Sequence, residues 1–174
     1  MSIAVYPGSF DPITLGHLNI IRRSATIFDE LYVCVLDNSR KKPLFSEKER
    51  VELICRTVSR FPNVKVDSSK DLLVDYMNTI GAKVIIKGLR AVTDFDYEFQ
   101  IALVNRKLDK EIETLFMPSS EKYTYLTSSV VKEMARYGAD LATFVPKEII
   151  DDVNARVERF KNLKRNNINA SGSR

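Results

Sequence analysis

The sequence predicts an α/β fold built on a doubly wound, five-stranded parallel sheet. Short apolar or β-branched runs at about 2–6, 31–36, 63–67, 83–87 and 112–117 alternate with segments of helical periodicity. Such an alternation implies parallel strands covered by helices on both faces. At 174 residues, 44% of them hydrophobic, the chain is long enough to bury one core without staples. A single domain over residues 1–161 is expected, with a polar, flexible tail over 162–174.

The elements follow in order. The first strand leads through a Pro/Gly-rich loop into a helix over about 17–28, with Leu18, Ile21, Ala25 and Phe28 on one face. After the second strand, a helix over 47–60 turns Val51, Ile54 and Val58 inward. Ser46 and Glu49 have the spacing of a capping box at its start. A short helix over 71–80 stops at Gly81. The fourth, over 94–108, places Phe95, Phe99, Ala102 and Leu103 on one face. A fifth runs from Thr127 to Gly138. The last begins at Pro146, a good first-turn residue, and buries Ile149, Val153, Val157 and Phe160. A sheet of this kind binds ligands beyond the carboxyl ends of its strands, where the strand order reverses. The loops after strands one and four are therefore the places to search.

Four constellations carry chemistry. The first is Pro7-Gly8-Ser9-Phe10-Asp11-Pro12-Ile13-Thr14-Leu15-Gly16-His17, from the end of strand one into the first helix. Gly8 can take positive φ, and Gly16 lets a ligand approach the backbone. The helix start offers unpaired N–H groups and a positive dipole end to a phosphate. A lone histidine is most often structural, but His17 stands in the first turn of a phosphate-facing helix, where it can donate to a phosphate oxygen. No G-x-G-x-x-G is present, so this is not the dinucleotide fingerprint. The second constellation, Lys87-Gly88-Leu89-Arg90, puts a glycine among cations at a strand end. Glu98 follows on the next helix, able to accept from a ligand or orient an arginine. The third, Tyr123-Thr124-Tyr125-Leu126-Thr127-Ser128-Ser129, brings hydroxyls to a helix start, where they either cap it or clamp phosphates. The fourth, Arg40-Lys41-Lys42-Pro43, is a basic loop after strand two.

Composition narrows the function classes. The net charge is +4, but residues 156–174 alone carry +5 and the rest −1. A basic end on a near-neutral body does not describe a nucleic-acid-binding face. No apolar stretch reaches the ~18 residues of a membrane span, and the first residues lack a signal-peptide pattern. A cytoplasmic location is expected, with neither nucleic acid nor membrane as partner. Cys34 and Cys55 form no disulfide framework or metal pattern and read as buried free thiols.

Taken together and in order, Gly-Ser-Phe-Asp-Pro-Ile-Thr-x-Gly-His, Lys-Lys-Pro, Gly-Leu-Arg-Ala-Val-x-Asp-Phe-x-Tyr-Glu and the Ser-Ser helix start resemble bacterial phosphopantetheine adenylyltransferases, over about residues 3–160. The first motif marks the wider nucleotidyltransferase superfamily, and the third is far more specific. The resemblance implies a Rossmann-like nucleotidyltransferase fold and transfer of AMP from ATP to 4′-phosphopantetheine, giving dephospho-coenzyme A and pyrophosphate. It implies that Ser9 and Phe10 contact nucleotide and acceptor, and that His17 stabilises the α-phosphate in the transition state. Lys41 would hold both the acceptor phosphate and the α-phosphate, and Leu73 would line the pantetheine site. Gly16, Gly88, Leu89, Arg90, Glu98 and residues 123–129 would hold ATP, with Arg90 and Ser128 among the catalytic groups. It further implies Mg²⁺ carried with ATP, a homohexamer, and coenzyme A as a feedback ligand.

Two departures stand out. Lys87 replaces the family's usual arginine, which keeps the charge and loses the planar fork. Leu126-Thr127-Ser128-Ser129 replaces Ile-Ser-Ser-Ser, which keeps the hydroxyl. We therefore expect Lys87 to hold the acceptor phosphate. The residues by themselves leave open a sibling enzyme acting on nicotinate mononucleotide or a glycerol or sugar phosphate. They also leave open a non-catalytic nucleotide-binding module.

Overall fold

The computed structural model describes residues 1–36, 43–90 and 92–171. Five strands, β1 (Ile3–Gly8), β2 (Glu30–Leu36), β3 (Val64–Ser69), β4 (Val84–Leu89) and β5 (Glu113–Pro118), form one sheet in the order β3-β2-β1-β4-β5. Every pairing is parallel. The helices are α1 (Leu15–Ser24), α2 (Glu47–Val58), α3 (Leu73–Ile80), α4 (Val92–Leu108), α5 (Ser128–Arg136) and α6 (Ile150–Ser171). Short 3₁₀ turns at Glu121–Tyr123 and Lys147–Ile149 lead into α5 and α6. None of the described helices is long and apolar enough to cross a membrane.

The two-residue period of the strands splits the core in two. Ala4, Tyr6, Val33 and Ile86 face a large cluster with Ile20, Ile54, Val131 and Val153 of α1, α2, α5 and α6. Val5, Cys34 and Ile85 face the opposite side, where Val74 and Met77 of α3 cover them. This is why the strand sequences read as continuous apolar runs: both faces are roofed. Local chemistry fixes the helix ends. Ser46 and Glu49 form the expected capping box, with the Ser46 N–H donating to Glu49 Oε2 at 2.8 Å. Gly81 closes α3 at φ 69°, a conformation glycine adopts without penalty.

Several details differ from the sequence reading. Helix α1 ends at Ser24, and Phe28 reaches the core from the turn that follows, with 9% exposure. Phe95, Phe99 and Leu103 of α4, expected in the core, are 38%, 43% and 54% exposed, because none of the described residues covers that face. Phe160 is also exposed, at the rim of a groove between α5 and α6. Cys34 is buried, but Cys55 is exposed, because α2 turns Ile54 and Val58 inward instead. Helix α6 continues through Ser171, further than its apolar periodicity extends.

Candidate active site

The chain leaves β1 toward β2 and β3, then returns to place β4 and β5 on the other side. The reversal lies between β1 and β4, and a crevice of about 390 Å³ opens at their carboxyl ends. It takes residues from three of the predicted constellations. The β1 loop and α1 supply Ser9, Gly16 and His17. The end of β4 supplies Lys87, Gly88 and Arg90, and α4 supplies Glu98. Tyr123, Leu126, Thr127, Ser128 and Ser129 close the crevice from α5. Lys87 and Ser9 thus share one cavity, as expected from a strand reversal at this place.

His17 is set by the cap of its own helix. Thr14 is the N-cap of α1, and its Oγ1 accepts from the His17 N–H at 3.2 Å. The imidazole returns the bond: Nδ1 accepts from the Thr14 N–H at 3.0 Å. This is a capping box in which histidine stands where glutamate is usual. An Nδ1 that accepts carries no proton, so the neutral ring bears its proton on Nε2. The edge of the Phe10 ring supports the imidazole, with centroids 5.1 Å apart. Burial, reinforced by the positive charge of Arg90, lowers the His17 pKa to about 4. At neutral pH the crevice therefore meets a fixed, uncharged N–H donor.

Two cations at the end of β4 are each met by a carboxylate from α4. Lys87 Nζ lies 3.0 Å from Glu98 Oε2, and Arg90 Nε lies 2.9 Å from Asp94 Oδ2. Asp94 and Glu98 are four residues apart and so share one face of α4. From the sequence, Lys87 is expected to be free for the acceptor and Glu98 to meet ATP or an arginine. Here Glu98 faces Lys87 and Asp94 takes the arginine.

The α5 segment holds its hydroxyls in defined places. Thr127 caps α5 by accepting from the Val130 N–H at 3.0 Å, and Ser128 Oγ donates to the Pro12 carbonyl at 2.8 Å. That bond ties α5 to the β1 loop. Asp11 strengthens the tie. It is 5% exposed, accepts from the N–H groups of Leu44 and Phe45, and pairs with Lys132 of α5 at 2.9 Å. The Asp11-Pro12 peptide bond beside it is cis.

Other expected site residues fall elsewhere. Phe10 is 2% exposed, with its ring packed against His17 beneath the crevice. Phe10, not Gly8, holds positive φ, at 46°. Gly8 is needed for space, since a Cβ there would meet the Phe10 ring at 3.0 Å. A Cβ at Gly16 would meet only ordinary contacts, Thr14 Oγ1 at 3.4 Å and Tyr123 Cβ at 3.6 Å, and the residue lines the crevice as expected. Leu73 packs at the edge of the α3 core and does not line the crevice. Leu89, Thr124 and Tyr125 also lie off its lining. Lys41, with Arg40 and Lys42, lies outside the described residues. The sequence reading missed Thr14 and Asp94. The signals were a T-x-x-H spacing that mimics a capping box and an Arg-to-Asp spacing of four. Among the described residues, no three His, Cys, Asp or Glu converge as a metal site.

A parallel sheet with its crevice at the reversal, a histidine N–H donor at a helix start and a facing hydroxyl-rich helix start define a nucleotidyltransferase-type site. Residues 5–134 match the family model described as cytidylyltransferase-like. The fold is shared with a protein from Vibrio parahaemolyticus assigned as a nicotinate-nucleotide adenylyltransferase, at TM-score 0.66 and 16% identity over 90% of this chain and 96% of that one. It is also shared with a lipopolysaccharide core biosynthesis protein from Thermoplasma volcanium, at TM-score 0.51 and 24% identity over 69% and 97%. Over 150 residues, covering 86% of this chain and 92% of the relative, the sequence is 57% identical to the phosphopantetheine adenylyltransferase of Lachnoclostridium phytofermentans. The chain belongs to the phosphopantetheine adenylyltransferase family.

Proposed function

We infer that the crevice carries out adenylyl transfer from ATP to 4′-phosphopantetheine, a step of coenzyme A biosynthesis in the cytoplasm. Family membership supports the substrates. The observation that carries the chemistry is the His17 ring, whose Nδ1 is engaged by Thr14 and whose Nε2–H is left for the crevice. An oxygen of the acceptor phosphate attacks the α-phosphorus of ATP in line, and the bond from that phosphorus to the β-phosphate bridging oxygen breaks. Pyrophosphate leaves with the electron pair. An ionised phosphate is already a nucleophile, so no general base is needed. Catalysis is positioning plus stabilisation of charge on the α-phosphate oxygens.

In this reading His17 Nε2–H donates to the α-phosphate, and Arg90, Ser128 and Ser129 hold the outer phosphates between two helix starts. Ser9, Lys87 and Lys41 receive the acceptor phosphate, and Leu73 contacts the pantetheine arm. Mg²⁺ carried with ATP would be held mainly by the nucleotide's own phosphates and would offset charge on the leaving pyrophosphate. The exposed apolar face of α4, with Phe95, Phe99 and Leu103, supports association between copies of the chain, and the family resemblance supplies the homohexamer as its form. Coenzyme A, which contains the product dephospho-coenzyme A, is the natural candidate for feedback on the same crevice.

The test is pyrophosphate release with ATP or CTP and a panel of acceptors. Release with ATP and 4′-phosphopantetheine alone is expected. Release with nicotinate mononucleotide or a sugar phosphate instead would transfer the reading to a sibling activity. Binding of ATP without release from any acceptor would make the chain a non-catalytic module.

A further inference from the structure

Arginine has five N–H donors spread over two usable edges, and how it grips a phosphate depends on which edge is free. Asp94 takes one edge of Arg90: its Oδ2 accepts from Nε at 2.9 Å and its Oδ1 from Nη2 at 3.2 Å. Asp94 Oδ2 also lies 3.4 Å from the Arg90 backbone N–H, so the same carboxylate holds both ends of that residue. What remains is the other edge, with one hydrogen on Nη2 and one on Nη1. That edge is the bidentate fork that fits two phosphate oxygens. Arg90 lines the crevice, whereas Asp94 does not. The two side chains are 34% and 28% exposed, so water weakens the pair's attraction without removing its geometry.

We propose that Asp94 is a positioning residue: it fixes the Arg90 guanidinium side-on, so that the free fork faces the phosphates of ATP. The proposal rests on the reading of Arg90 as a phosphate ligand. A fork fixed before the reaction acts mainly where geometry is strictest, in the transition state, and thus on kcat more than on ground-state binding. The competing explanation is local. Asp94 lies in the first turn of α4, where a carboxylate favours the helix dipole whatever Arg90 does.

The experiment is steady-state kinetics with both substrates on Asp94→Asn, Asp94→Glu, Arg90→Ala and Arg90→Ala/Asp94→Asn, with thermal unfolding of each. Asp94→Asn is expected to lower kcat about tenfold, the scale of a displacement well under an ångström, with KM for 4′-phosphopantetheine within about twofold of wild type. Asp94→Glu should recover part of kcat. In the Arg90→Ala background, Asp94→Asn should change nothing further, because residues that act as a unit are non-additive. Unchanged kcat in Asp94→Asn overturns the proposal, as does an equal further loss on top of Arg90→Ala or a lowered Tm with kinetics intact. If Arg90→Ala itself turns over normally, the reading of Arg90 fails, which is a different failure from a normal Asp94→Asn beside a crippled Arg90→Ala.

Discussion

Thr14 and His17 each accept the other's backbone or ring-directed hydrogen bond, the Thr14 N–H donating to His17 Nδ1 at 3.0 Å and the His17 N–H to Thr14 Oγ1 at 3.2 Å. The cap of a helix thereby becomes the device that selects a tautomer. His17 is the only histidine in the chain, so ring NMR reads it without assignment. In the ligand-free protein the imidazole is expected to be neutral, protonated on Nε2, and to show no titration between about pH 5.5 and 8. A pKa near the ordinary 6.5, or a proton on Nδ1, would contradict the capping geometry.

The same lowered pKa has a consequence for stability. The unfolded histidine takes up a proton near pH 6.5, whereas the folded one holds out to about 4. Across that window the unfolded state binds more protons, so this group makes stability fall as pH drops from 6.5 toward 4 and has no effect above. Urea unfolding at pH 7.5 and pH 5 should show a loss for wild type that is smaller in His17→Gln.

His17→Gln also separates the cap from the chemistry. Glutamine is a normal capping-box partner at this position, so the helix start should survive. Turnover should fall ~10²–10³-fold, the cost of losing one transition-state donor. A folded His17→Gln with near-wild-type kcat would remove His17 from the reaction.

Lys87 and Glu98 are 18% and 24% exposed, and Glu98 Oε2 makes no hydrogen bond of good geometry despite the 3.0 Å approach. The carboxylate offsets the lysine's charge without locking its three donors, so the ammonium can turn to an incoming phosphate. Lys87→Ala should raise KM for 4′-phosphopantetheine by about 10–150-fold, equivalent to ~1.5–3 kcal/mol. Lys87→Arg should be tolerated. If KM for both substrates stays unchanged in Lys87→Ala, the acceptor phosphate does not sit at this strand end.

Asp11 is a matter of stability. Its buried carboxylate accepts from Leu44 and Phe45 and pairs with Lys132, joining three separate segments. Asp11→Asn leaves the lysine without its counter-charge and should cost about 3 kcal/mol in urea unfolding. Lys132→Ala should cost less, because Asp11 keeps both backbone donors. Equal stability of wild type and Asp11→Asn would show the hub to be dispensable.

The sheet was legible in the sequence because runs such as Leu31 to Leu36 must be roofed on both faces, which leaves few arrangements. The crevice was legible because loops with Gly8, His17, Gly88 and Arg90 fall at strand ends where the order reverses. Pairing was not legible. Nothing in the periodicity of α4 says that Asp94 meets Arg90 while Glu98 meets Lys87, since both depend on how the helix lies against β4. Nor does an apolar face reveal what covers it: Phe95 stacks on Phe99 and leans on Phe116, yet the stripe stays open among the described residues.

In the proposed reaction the acceptor phosphate itself attacks the α-phosphorus. That attack is tested most directly with 4′-phosphopantetheine carrying ¹⁸O in its terminal phosphate oxygens, incubated with unlabelled ATP, with mass spectrometry of both products. All of the label is expected in dephospho-coenzyme A, one labelled oxygen having become the new bridge, with the pyrophosphate unlabelled. Label in pyrophosphate, or the appearance of ADP with no pyrophosphate, would contradict that attack.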